Sequence, residues 1–65
     1  MNYSRYHSSE IRVLLDFIQK YGHLTYETTQ QLQPEFVSRT ESWRSSGALY
    51  QAAYRAEQGY YDNLL

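Results

Sequence analysis

The sequence predicts an all-α fold: a compact domain of three to four helices that ends in a long amphipathic helix. Two observations predict it. Ile11, Val13, Leu14, Leu15, Phe17, Ile18 and Tyr21 recur at helical spacing and cover an arc of roughly 200°. Residues 43–65 contain no proline and place Trp43, Leu49, Tyr50, Ala53, Tyr54, Ala56, Tyr60, Tyr61 and Leu64 on one broad side. Arg44, Gln51, Arg55, Gln58 and Asp62 fall on the other side of that projection.

Taken in order, residues 1–7 read as a loose arm ahead of a first helix at about 9–21. Ser8 or Ser9 is placed to cap it, with Glu10 in its first turn facing the positive end of the helix dipole. Its apolar arc is wider than one neighbour covers, so this helix should be the central element, and Gly22 supplies its stop. Thr25 is the next N-cap, with Glu27 behind it, for a short helix at about 25–32 that Gln33-Pro34 should break. Ser38-Arg39-Thr40-Glu41 matches a capping box and places the start of the last helix, expected over about 38–60. Ser45-Ser46-Gly47 is a weak patch able to bend or interrupt it, and Gly59 can fray its end. Ala48, Ala52 and Ala56 recur every fourth residue as a smooth strip for a neighbouring helix.

At 65 residues the chain has room for one domain, residues 1–65, and sits below the ~70–80 residues at which one core usually suffices. It has no cysteine, which excludes disulfides and thiolate metal sites, and its two histidines, His7 and His23, lie on different expected elements. No metal or cofactor is therefore expected. Oligomerisation or dense packing must compensate for the small core, and a homodimer is the expected assembly. The net charge of −1 excludes a strongly basic coat. The polar, aromatic start lacks a signal-peptide pattern, and the longest aliphatic run is only Val13-Leu14-Leu15. A cytoplasmic location with no membrane role is expected.

No enzyme is expected either. The glycines are too dispersed to cradle a phosphate, neither histidine stands in a nucleophile context, and so small a domain offers little room to enclose a substrate. Tyrosine is the compositional anomaly, with eight copies. Tyrosine gives large contact area at low rotamer cost and tolerates water at its hydroxyl, so it serves both a wet core edge and an adhesive surface.

Two functional readings follow. The first is a non-catalytic adaptor or inhibitor that docks on another protein through Trp43, Tyr50, Ala53, Tyr54, Glu57, Tyr60 and Tyr61. By size and lack of catalytic motifs alone, it is analogous to small stand-alone proteins of mobile elements. Glu57 lies mid-face and needs a partner, a tyrosine hydroxyl or an arginine, unless it reaches water at the rim. The second is a small dimeric helix-turn-helix regulator that presents Ser38, Arg39, Thr40, Ser42, Arg44 and Arg55 to DNA. Against the latter, Glu35 and Glu41 would repel phosphate, and Arg39 and Arg44 can pair locally with Glu35 and Glu41. Whether Arg39, Arg44 and Arg55 share one carboxylate-free edge separates the readings.

Overall fold

The computed structural model describes residues 5–65 and is all-helical there: α1 (Ser8–Tyr21), α2 (Tyr26–Thr40), α3 (Ser46–Glu57) and a closing 3-10 turn at Asp62–Leu64. Positions 1–4 of the expected arm lie outside the described residues. Each helix packs on both of the others. Ile11, Leu14 and Phe17 of α1 meet Phe36 of α2 and Leu49, Ala52 and Ala53 of α3, with Leu24 inserted from the α1–α2 turn.

Helix α1 starts one residue earlier than expected because His7, not a serine, occupies the N-cap; its N–H donates to Glu10 Oε1 at 2.8 Å. Gly22 follows the helix at φ +84°, a conformation costly for residues with a side chain, and its N–H donates to the Ile18 carbonyl. Thr25 caps α2, its Oγ1 accepting the Thr28 N–H at 3.1 Å.

Helix α2 departs most from the sequence expectation. It runs through Pro34 to Thr40 instead of stopping near Leu32. Proline removes one N–H and crowds the carbonyl four residues back, here that of Gln30. Both residues are exposed, so water can satisfy that carbonyl. Burial of Phe36 on the core rewards continuing the helix, and Gln33 Nε2 ties its middle to the Arg44 carbonyl at 2.9 Å. Tertiary packing overrides the local break.

The expected helix over 38–60 is correspondingly replaced by two elements. Ser38, Arg39 and Thr40 end α2, and Glu41 leaves it in the left-handed region at φ 60°. The Ser38–Glu41 capping box is thus not used. Thr40 Oγ1 instead donates back to the Phe36 carbonyl at 2.8 Å, an alternative bond that threonine readily makes at a helix end. Ser45 caps α3 by accepting the Ala48 N–H at 3.1 Å, so the weak Ser-Ser-Gly patch starts a helix.

The far end of α3 closes as a Schellman motif. Gly59 takes φ +81°, its N–H donates to the Ala56 carbonyl, and the Tyr60 N–H donates to the Arg55 carbonyl. The helix therefore stops at Glu57, and Tyr60 and Tyr61 lie beyond it.

Two substitutions test this account of α2. Pro34→Ala restores the helix bond; against ~3 kcal/mol for an interior proline stands up to about 1 kcal/mol of lost rigidity in the unfolded chain. A net gain of about 2 kcal/mol is expected in urea unfolding. Glu41→Gly relieves the left-handed strain and should add about 1 kcal/mol, read as a higher melting temperature with unchanged helicity.

Candidate functional site

The strongest electrostatic feature is buried. Glu10, 1% exposed, receives Arg44 as a two-pronged donor: Nε to Oε2 at 2.9 Å and Nη2 to Oε1 at 3.1 Å. Arg44 Nη2 also donates to the Arg5 carbonyl at 2.9 Å, and its guanidinium lies 4.0 Å above the centre of the Tyr6 ring. One arginine from the α2–α3 loop thereby clamps the first turn of α1 and the segment before it. The arrangement leaves no buried side-chain nitrogen or oxygen unpaired among the described residues.

Burial by itself would raise the Glu10 carboxyl pKa. The Arg44 hydrogen bonds, the His7 N–H and the Arg44 charge together outweigh it, and the pKa falls below the ordinary glutamate value. The same hydrogen bond, opposed by burial, raises that of Arg44. Burial dominates at Tyr6, whose phenol is raised despite the nearby guanidinium.

The residues expected on one protein-binding face separate into several places. Tyr50 and Tyr54, one turn apart on α3, are exposed, and the Tyr26 ring meets Tyr50 edge-on at 6.1 Å between centroids. Glu57, on the same side one turn further, is an exposed rim residue, as one of its expected readings has it, and pairs there with His23 Nδ1 at 2.8 Å, not with a tyrosine hydroxyl or an arginine. Ala53 is corrected: it lies in the core at 2% exposure, because the alanine-rich side of α3 faces α1 and α2 within the chain. Trp43 is on the loop at 70% exposure. Tyr60 and Tyr61 belong to another cluster, joined edge-on at 5.0 Å, with Tyr6 meeting Tyr61 at 5.8 Å.

The arginines expected toward DNA do not form an edge free of carboxylates. Arg39 Nη1 lies 3.0 Å from Asp16 Oδ2 and 3.9 Å from Glu35 Oε2. Arg44 is held by Glu10, not by Glu41. Thr40 Oγ1 is engaged locally and also accepts the Ser42 N–H at 3.1 Å, whereas Ser38 is exposed at the closing end of α2. Arg55 stands alone on α3, its guanidinium 5.6 Å from the Tyr60 ring centre.

Sequence reading missed Glu10, Tyr6, Tyr26 and His23. Local spacing carries no signal for contacts that join residues 34 positions apart, as both Glu10–Arg44 and His23–Glu57 do. Glu10 did carry a local cue, its place in the first turn of α1, but that cue points equally to a solvated carboxylate. Among the described residues no helix is long and apolar enough to cross a membrane, and no three His, Asp or Glu side chains converge as a metal site. Compared with protein-family profiles, curated proteins and solved structures, the chain matches none.

Arg44→Ala strands a buried carboxylate and should cost about 3–5 kcal/mol, whereas the paired change Glu10→Met with Arg44→Leu should recover most of that loss. Because the folded-state pKa of Glu10 is depressed, its contribution is complete above the unfolded value of about 4.3 and is lost as pH falls through the folded value. Urea midpoints measured from neutral to strongly acidic pH should therefore drop below about pH 4.3, with a smaller drop in Glu10→Gln.

Proposed function

We propose that this chain is a non-catalytic interaction protein that docks on a protein partner through the tyrosine surface of Tyr26, Tyr50 and Tyr54. The supporting observation is that α3 buries its small residues and turns its large aromatic ones outward. Ala52, Ala53 and Ala56 face the core, whereas Tyr50 and Tyr54 are exposed, Tyr54 at 53%. Monomer stability gains little from an aromatic ring left in water, and tyrosine is enriched where protein surfaces meet. The His23–Glu57 pair at the margin supplies a polar rim.

A second copy is the first partner to consider, since a ladder of like side chains on a helix is self-complementary about a twofold axis. The duplex-DNA alternative draws less support. Its candidate residues close a helix instead of opening one, and two of its three arginines are engaged by carboxylates.

The test is a double variant, Tyr50→Ser with Tyr54→Ser, compared with the wild-type chain in sedimentation equilibrium and in affinity capture. An unchanged melting temperature together with loss of the dimer, or of one defined captured protein, is the expected result. Equal association of both proteins would overturn the assignment. Salt-sensitive binding of a random DNA duplex, followed by fluorescence anisotropy, would favour the alternative.

A further inference from the structure

About 140° around α3 from Tyr50, on a flank the tyrosine surface does not use, the N-terminal segment and the C-terminal turn enclose an open cleft of about 500 Å³. Arg5, Tyr6, Arg55, Tyr60 and Tyr61 contribute its charged and aromatic lining, and no carboxylate side chain lines it. The acidic residues nearest in sequence lie outside its lining. Glu10 is held by Arg44 and Glu57 by His23. Asp62 is exposed and does not line the cleft, its carboxylate lying beside Gly59. Among the described residues Arg5 and Arg55 enter no ion pair.

We propose that this cleft binds a nucleotide phosphate, with the phosphate between Arg5 and Arg55 and the base against the tyrosines. Four observations carry the assignment. Two guanidinium groups without counter-ions among the described residues suit a dianionic phosphate, whose oxygens match their forked donors. Tyr60, 66% exposed, meets Tyr61 edge-on at 5.0 Å and offers the cleft an open ring, while Tyr6, which already carries the Arg44 guanidinium, backs Tyr61 at 5.8 Å. An exposed tyrosine ring takes a nucleobase by stacking. The volume lies within the range of roughly 300–1,000 Å³ usual for small-ligand sites. One cation is also partly placed in advance, since Arg55 rests over Tyr60, and the Arg5 backbone is anchored by Arg44. The ligand is either a free nucleotide or the 5′-phosphorylated end of a strand, which share this chemistry.

Titration of the ¹⁵N-labelled chain with AMP, inorganic phosphate, adenosine and phenyl phosphate tests the assignment. AMP should produce saturable amide shifts at Arg55, Tyr60 and Tyr61, with affinity about tenfold or more above each of the other three. Arg55→Ala should weaken AMP about tenfold without changing the melting temperature, and Arg55→Lys should fall between. A 5′-phosphorylated oligothymidylate that binds tighter than thymidine monophosphate would identify a strand end as the source; equal affinity would identify the free nucleotide. Absence of saturable shifts up to roughly 10 mM AMP would overturn the proposal. Phosphate or phenyl phosphate binding as tightly as AMP, or an Arg55→Ala variant that binds like wild type, would do so equally.

Discussion

Burying a carboxylate is tolerable only where cationic and hydrogen-bond partners compensate for lost hydration, and Glu10 meets that condition through Arg44 and the His7 N–H. The consequence reaches well past the pair. Arg44 stands in the loop between α2 and α3, Glu10 in the first turn of α1, and Arg5 in the segment before it. A protein this small has few core residues with which to specify how three helices meet. The forked guanidinium admits a narrow range of approach directions, so it orients the loop as well as holding it. Apolar packing supplies most of the cohesion and this pair supplies direction.

Helix α3 divides the surface of the molecule because its composition is asymmetric around the axis. Leu49, Ala52 and Ala53 fill the narrow space beside α1 and α2, where larger side chains would force the helices apart. The tyrosines are left to the periphery. Past Glu57 the Schellman motif redirects the chain, carrying Tyr60 and Tyr61 away from the line of Tyr50 and Tyr54 and toward Tyr6. What projects as one aromatic face on an uninterrupted helix is two surfaces in space, one bordered by His23 and Glu57, the other by Arg5 and Arg55.

The helical class and the first helix were legible because their signals are local: apolar spacing from Ile11 to Phe17, a threonine cap at Thr25 and a glycine at position 22. The middle of the chain was not. Pro34 is a strong local break, and only the burial of Phe36, a tertiary fact, overrides it. Ser38 and Glu41 mimic a helix start, and Ser45, which lacks the glutamate three residues on, provides the real one, so the fuller local signal is the misleading one. Exposed tyrosines could be listed from composition, but their division between two surfaces follows from a turn at Gly59 that the sequence equally allows to fray. Glu10 illustrates the limit most clearly, since burial is a property of the assembled fold and nothing adjacent to it in the chain reports it.

Trp43, the chain's one tryptophan, gives the loop an optical character of its own. At 70% exposure its indole is already in contact with water in the folded state, so its emission should be red-shifted and accessible to iodide before any unfolding occurs. Tryptophan emission excited apart from the eight tyrosines is thus only weakly sensitive to the folding transition of this domain. It becomes a selective indicator of anything that covers the α2–α3 loop, with a blue shift and loss of quenching as the signature of contact there.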